Sequence, residues 1–421
     1  MKFLRFIIVG AVILFFGKAS LYAQDTRQHI VPNRVNSTEQ QKKPYLILIS
    51  ADGFRNDLAD KYHAENLIAL RNSGVQAKYL RPCYPTFTFP NHYSIATGLY
   101  PAHHGIVNNS FYDEHKKAFY SLRNRKAVED GSWYGGVPLW AVAEKNKMLS
   151  ASFYWVGSEA AVDGIRPTYY YNYNEKTGVD ARITALKKWL LLPADKRPHL
   201  ITFYFPEVDH AAHAYGVDSK ETKTAVQFID ESIAKMTAMV ESLHLQVNFI
   251  FVSDHGMANA DTLQFVKMPT TIDTTKFIIQ RGDILIHLYA KNKADISPAY
   301  HKIKAEAKDF DVYLADSTPA RWHYNKKEDI YNRIGDMLLV PHYPLTFKLN
   351  NMKPVQGKHG FDNHMKEMQA TFYAWGPAFK EHLTIDGFEN VHIYPLVAKL
   401  LELKYSNKID GDPKVLEGIL K

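Results

Sequence analysis

Three short apolar runs, each leading into an acid, constrain this chain more than any other feature. Residues 45–50 (YLILIS) lead to Asp52, 200–205 (LITFYF) to Glu207 and Asp209, and 247–253 (VNFIFVS) to Asp254. Runs of this length that are apolar throughout suit strands buried on both faces. A helix pattern follows the first run at 64–73, and another precedes the third at 222–243. Strands alternating with helices predict an α/β fold, a mostly parallel central sheet covered by helices on both faces. Ligands of such sheets bind beyond the carboxyl ends of the strands, so the acids are placed to converge on one crevice.

The rest of the chain sets the boundaries of that fold. Of 421 residues, 46% are hydrophobic and 23% charged, the balance of a globular protein with a sizeable core. Residues 1–23 read as a secretory signal: Lys2 and Arg5, an apolar run over 6–16, then Leu21-Tyr22-Ala23 before the expected cleavage. That run is shorter than the roughly 20 residues that span a bilayer, so no stable membrane anchor is expected. The signal implies an exported protein, periplasmic or secreted, and its shortness with the scarcity of cysteine fits a Gram-negative bacterium. Polar residues 24–43 suggest a flexible leader, with the fold beginning at Pro44. Residues of about 260–354, rich in charge and proline, read as a small inserted lobe of one catalytic domain over 44–421, since chain on both sides is needed for the site below.

Charge and cysteine content exclude several classes. Removing Lys2, Arg5 and Lys18 with the signal takes the formal net charge from +7 to +4 (7 − 3). No Lys/Arg run is dense enough to track a nucleic-acid backbone, and the mild positive balance favours small anionic substrates. Cys83 is the only cysteine, so an intramolecular disulfide and a thiolate metal cluster are both impossible. Any metal must sit on His, Asp and Glu.

Such ligands lie beside the strand-end acids. His213 follows Asp209 at i+4, on the same face of a helical turn, and His255 follows Asp254 directly. His359 sits in Gly357-Lys358-His359-Gly360, where flanking glycines allow a tight loop. Carboxylates with imidazoles suit zinc and similar ions, and two ions about 4 Å apart can bind both sides of an in-line displacement at phosphorus. A hydroxyl is available in Tyr84-Pro85-Thr86-Phe87-Thr88-Phe89-Pro90, which runs from a loop into a helix expected over 91–97. At that junction Thr88 reads either as a plain helix cap or as a group meeting phosphate at the helix amino end.

Seven segments resemble the nucleotide pyrophosphatase/phosphodiesterase family of the alkaline phosphatase superfamily. They are Asp52-Gly53-Phe54-Arg55, Thr88-Phe89-Pro90-Asn91-His92, Gly98-Leu99-Tyr100-Pro101, His104-Gly105-Ile106-Val107-Asn108-Asn109, Asp209-His210-Ala211-Ala212-His213, Ser253-Asp254-His255-Gly256-Met257 and His359-Gly360-Phe361-Asp362-Asn363. The resemblance implies an alkaline-phosphatase-like three-layer sandwich and two Zn2+ ions. One ion is held by Asp209, His213 and His359, the other by Asp52, Asp254 and His255 with Thr88 bridging to it. Thr88 then forms a covalent phospho-threonine that water at the other metal releases. By the same resemblance Asn109 is expected to donate a hydrogen bond to a phosphoryl oxygen, and Phe89 and Tyr173 to stack on the base. Trp155 and Glu159, in the loop that leads to Tyr173, are expected at the substrate as well.

The implied activity is hydrolysis of phosphodiester and pyrophosphate bonds in nucleotides, releasing nucleoside 5'-monophosphates. Lipid or choline phosphodiesters are the alternative substrates, since aromatic faces also bind quaternary amines. A phosphate monoesterase would add a cation beside Asn109, and the sequence offers no clear Lys or Arg there. A sulfatase would need a Cys or Ser in a Cys-x-Pro-x-Arg setting; Cys83-Tyr84-Pro85-Thr86-Phe87 imitates its start but has Phe87 where the Arg would stand. Phe87 stands where familiar members of the family carry Lys, which alters the polarity of the pocket. His92, His103, His104 and His210 match no ligand position and are expected in structural hydrogen bonds.

Overall fold

The three apolar runs lie side by side at the middle of a nine-stranded sheet. A computed structural model of the protein describes residues 26–349 and 355–421. In chain order the strands that matter here are β1 (Gln28–Ile30), β2 (Tyr45–Ala51), β3 (Val75–Ala77), β4 (Ser150–Phe153), β5 (Tyr169–Tyr171), β6 (Leu200–Phe205), β7 (Val247–Val252), β8 (Phe277–Gln280), β9 (Ile286–Ala290), β10 (Phe310–Leu314), β11 (Met337–Pro341), β12 (Phe372–Trp375) and β13 (Leu383–Ile385). The large sheet has the order β1-β5-β4-β6-β2-β7-β12-β3-β13. Its middle strands β5, β4, β6, β2 and β7 are parallel. Ser50 pairs with both Tyr204 and Val252, so three strand ends, and the acids after them, finish at one level.

Alternation along β2 builds two cores. Ile47 and Ile49 pack with Leu67 of α1 (Glu65–Ser73), and the same core takes in α3 (Val179–Leu190) and α5 (Lys220–Glu241). Leu46 and Leu48 point the other way, into the core of Tyr93 and Ile95 of α2 (Thr88–Thr97). The sheet is therefore the middle of three layers, with α4 (Glu207–Tyr215) at the carboxyl end of β6. Asp230 of α5 accepts the Leu67 N–H at 2.7 Å, satisfying an amide at the start of α1 that Ala64 cannot cap.

Between β7 and β12 the chain forms an antiparallel sheet, β8-β9-β11-β10, with Ile303 of α6 (Ile296–Glu306) in its core beside Ile286, Leu288, Met337 and Phe347.

Two expectations are corrected. The fold starts before Pro44, because β1 pairs antiparallel with β5 and residues 26–43 are docked, not a flexible leader. Buried Asn36 donates to the Ala194 and Arg197 carbonyls, at 2.8 and 2.7 Å, and accepts the Leu149 N–H at 2.7 Å. Polar groups hold this segment, so hydrophobic periodicity did not reveal it. Helix α2 starts at Thr88, three residues before the expected start; Pro90 fits its first turn, where no N–H is needed. The expected signal at 1–23 lies outside the described residues, among which no helix is long and apolar enough to cross a membrane.

Candidate active site

Asp52, Asp254 and His255 follow directly from β2 and β7, and Asp209 and His213 project from the first turns of α4. Gly53 has φ +66°, and a Cβ there would lie 3.1 Å from Cα of Asp209, so this glycine lets two of the acid-bearing turns meet. His255 Nε2 is 3.3 Å from Asp52 Oδ1, 3.0 Å from Asp254 Oδ2 and 3.2 Å from Thr88 Oγ1. On the other side, Asp209 Oδ1 is 3.3 Å from His213 Nε2 and 3.6 Å from His359 Nε2. The two halves abut: the His255 and His359 rings stack with centroids 3.7 Å apart.

Each imidazole has a fixed tautomer. Nδ1 of His213, His255 and His359 lies 2.8, 2.9 and 2.8 Å from the carbonyls of Gly357, Gly256 and Thr86. A carbonyl only accepts, so Nδ1 carries the hydrogen and, in the neutral ring, Nε2 presents a lone pair. Asp52 Oδ1, Asp209 Oδ1 and Asp254 Oδ2 are buried without a hydrogen-bond partner. Buried polar atoms are almost always satisfied, and three carboxylate oxygens facing three imidazole lone pairs lack only cations. Two sets of three ligand atoms, Asp52/Asp254/His255 and Asp209/His255/His359, are close enough to hold a metal. The first is the expected second-ion set; the second shares Asp209 and His359 with the expected first-ion set but has His255 in place of His213, whose Nε2 lies 3.3 Å from Asp209 Oδ1 and 3.1 Å from His359 Nε2.

In the protein alone, burial opposes the His255 charge, yet Asp254 outweighs it and raises that imidazole above its ordinary value, so a proton stands where the lone pair would meet a cation. Burial, with the carboxylates of Asp254 and Asp209, pushes Asp52 well above the usual carboxylate range. Burial acts on Asp254 in the same direction, yet His255 and His92 outweigh it and hold that carboxyl well below its usual range. His359 is pushed well down by burial and by the neighbouring His255 and His213.

Thr88 opens α2 beside a cavity of about 360 Å³ lined by Asp52, Phe89, Asn109, Tyr173, Asp209 and His359 among others. Asn109 accepts the Phe89 N–H at 2.9 Å through Oδ1, which leaves its NH2 as the donating end. Tyr173 lines this cavity and packs against Tyr154, with ring centroids 5.2 Å apart, whereas Tyr169–Tyr171 are held in β5. Trp155 and Glu159 also border the cavity, but their polar atoms are engaged. The Trp155 indole N–H donates to the His92 carbonyl at 3.0 Å, and Glu159 accepts the Tyr173 N–H at 3.0 Å and pairs with Arg125.

Sequence reasoning missed several neighbours. Tyr204, in the middle of an apolar run, donates to Asp52 Oδ2 at 2.6 Å. Arg123 and Arg125 reach the cavity wall because the hairpin of strands Ser110–Asp113 and Ala118–Ser121 folds back, which spacing alone does not signal. Of the histidines set aside, buried His92 lies 3.2 Å from Asp254 and 3.0 Å from the Thr88 carbonyl, His103 pairs with Asp410, and His104 bonds Ser94. His210 lines the cavity wall, 4.0 Å from Glu175.

The sequence model of the family described as type I phosphodiesterase / nucleotide pyrophosphatase matches residues 46–362. The chain belongs to this family. Among similar phosphodiesterase family proteins is a venom phosphodiesterase of Crotalus durissus collilineatus, 34% identical over 393 residues, covering 89% of this chain and 46% of that protein. Human ectonucleotide pyrophosphatase/phosphodiesterase family member 1 is 34% identical over 374 residues, covering 86% of this chain and 40% of its own. The chain thus spans less than half the length of these relatives. In solved structures, murine ectonucleotide pyrophosphatase/phosphodiesterase 5 superposes with a TM-score of 0.83 at 25% identity, covering 90% of this chain and 100% of that one. An inactive variant of that murine protein was solved in complex with AMP. The fold is the alkaline-phosphatase-like α/β sandwich of this phosphodiesterase family.

Proposed function

We propose that this protein hydrolyses phosphodiester and pyrophosphate bonds of nucleotides, releasing nucleoside 5'-monophosphates, with Thr88 as nucleophile. The observation that carries the reading is the position of Thr88 Oγ1, 3.2 Å from His255 Nε2, between the acid–imidazole cluster and the cavity bearing Phe89 and Tyr173. Asp209, His213 and His359 would hold one zinc ion, and Asp52, Asp254 and His255 the other. Such ions, when bound, lower the pKa of a coordinated hydroxyl and neutralise charge growing at phosphorus.

The chain's own groups do the rest. Thr88 presents its hydroxyl at the amino end of a ten-residue helix with no acid in its first turn, so the dipole there favours a phosphoryl group. Attack of Oγ1 forms an oxygen–phosphorus bond as the bond to the leaving group breaks; water then cleaves the phospho-threonine and restores the hydroxyl. The Asn109 NH2 meets a non-bridging oxygen as its charge grows. Phe89 and Tyr173 hold the base, and Glu159 fixes the Tyr173 backbone from the cavity wall.

Nucleotides are favoured over choline esters by a second cavity of about 390 Å³ across Asn109 and His359, lined by Arg123, Arg281 and Lys358, the last paired with Asp283 of the same wall. Arg123 has no ion pair among the described residues and borders both cavities, so a negatively charged leaving group suits this side better than a quaternary amine. An exported setting, periplasmic or secreted, fits the sequence of residues 1–23.

The experiment is a panel of a nitrophenyl nucleotide diester, the nitrophenyl monoester, nitrophenyl phosphocholine and a sulfate ester, with zinc and after chelation. Nucleotide diester turnover should dominate and vanish on chelation. Monoester or phosphocholine turnover higher by orders of magnitude would overturn the assignment.

A further inference from the structure

Strand β9 of the inserted lobe writes two messages on its two faces. Ile286 and Leu288 enter the lobe's own core, while His287 and Tyr289 point to the loop that carries Asn109. His287 is fully buried, remote in sequence from every segment of the acid–imidazole cluster, and has no part in the chemistry above.

Its hydrogen bonds have one self-consistent direction. Nδ1 lies 2.9 Å from the Ile334 carbonyl, so Nδ1 carries the hydrogen and Nε2 accepts. Asn108 stands 2.9 Å from that Nε2 with its NH2, and its Oδ1 accepts the Asn109 N–H at 2.7 Å. Asn109 in turn accepts the N–H of Phe89, the residue after Thr88, at 2.9 Å. Every donor in the chain from the lobe to the nucleophile's helix meets one acceptor. Burial pushes the His287 imidazole down to about 4, which keeps it neutral and Nε2 an acceptor at neutral pH.

The lobe also grips the loop on either side. Arg333 donates to the Gly105 carbonyl at 2.8 Å and pairs with Asp113 at 2.8 Å, and the Tyr324 hydroxyl donates to the Val107 carbonyl at 2.8 Å. The Asn109 carbonyl accepts the Leu122 N–H at 2.9 Å, and the Asn108–His287 bond holds the amide side of the same residue.

We infer that His287 is a positioning residue: through Asn108 it sets the Asn109 amide where the phosphoryl oxygen develops charge. The inference rests on the proposed role of Asn109. Misplacing a stabilising group by about 1 Å costs on the order of 100-fold in rate, whereas ground-state binding through Phe89 and Tyr173 is untouched.

The test is a mutant cycle on the zinc-loaded full chain with a nitrophenyl nucleotide diester: His287→Leu, His287→Gln, Asn109→Ala and the Asn109→Ala/His287→Leu double variant. His287→Leu should lower kcat about 10- to 100-fold with KM within about twofold. His287→Gln, whose amide can accept from Asn108 and donate to Ile334, should restore most of the rate. In the Asn109→Ala background His287→Leu should add nothing further. An unchanged kcat in His287→Leu, or an equal loss in both backgrounds, overturns the inference. An unchanged kcat in Asn109→Ala overturns it together with the Asn109 role, which separates the two failures. If His287→Leu does not fold, Asn108→Ala cuts the same chain from the other side, and a kcat left intact there overturns the inference.

Discussion

His213 and His359 bring their Nε2 atoms to 3.1 Å while both Nδ1 hydrogens are committed to backbone carbonyls. Two lone pairs at that distance repel unless a proton or a metal ion lies between them, so a bound metal should stabilise the folded chain. Zinc at about 100 times its Kd should stabilise the protein by about 2.7 kcal/mol per site, and chelation should remove that gain. Thermal melts with zinc, with chelator and after zinc readdition measure it; superimposable curves would contradict the prediction.

Tyr204 supplies the only hydrogen bond described for the Asp52 carboxylate, at 2.6 Å. Tyr204→Phe should weaken metal binding about 10- to 100-fold, the usual cost of losing a group that orients a ligand. Zinc titration of the variant followed by activity reads this directly, with near-normal rate expected at saturating metal.

Gly53→Ala combines a φ of +66° with a Cβ 3.1 Å from Cα of Asp209. Strain of about 1–3 kcal/mol is expected, together with lower zinc affinity as Asp52 and Asp209 are forced apart. Denaturant melts of the apo form isolate the first effect, and metal titration the second.

His103 and Asp410 form a pair at 2.6 Å away from the acid–imidazole cluster. Burial opposes the His103 charge, but the Asp410 hydrogen bond and charge outweigh it and raise His103 above its ordinary 6.5. Asp410, against the opposing effect of burial, is lowered below its ordinary 3.8 by His103 and the Tyr100 N–H. The raised His103 stabilises fully below pH 6.5 and loses that contribution as pH rises through its folded value. The depressed Asp410 stabilises above pH 3.8 and loses its share as pH falls through its own folded value. Denaturation of wild type and His103→Gln between pH 4 and 9 should show the difference greatest in the acid-to-neutral window and shrinking at alkaline pH. A constant difference would refute the assignment.

Separate Phe89→Ala and Tyr173→Ala variants should raise KM for nucleotide diesters more than for a small alkyl diester, since stacking contributes about 1–3 kcal/mol per base. Equal effects on both substrates would remove the stacking role.

The central architecture was legible because buried strands are written as unbroken apolar runs: the bounds of β6 and the course of β2 and β7 follow from LITFYF, YLILIS and VNFIFVS alone. Asp52, Asp254 and His255 were legible as strand ends and Asp209/His213 as an i+4 pair, while His359 stood out only by its flanking glycines. What escaped was held by polar groups or by remote folding. Asn36 docks the early segment with its amide, Tyr204 hides in an apolar strand, and Arg123 reaches the cavity only once a hairpin folds. His287 lies about 180 residues beyond Asn108, and no local pattern announces that contact.

The most direct measurement is rapid quench of the zinc-loaded protein with a nucleotide diester, followed by mass spectrometry of the peptide spanning Thr88. A covalent phosphoryl-ester adduct on Thr88, absent in Thr88→Ala together with at least a 1,000-fold loss of kcat, is the predicted result. Near-normal turnover by Thr88→Ala, with no adduct in the wild type, would contradict Thr88 as the nucleophile.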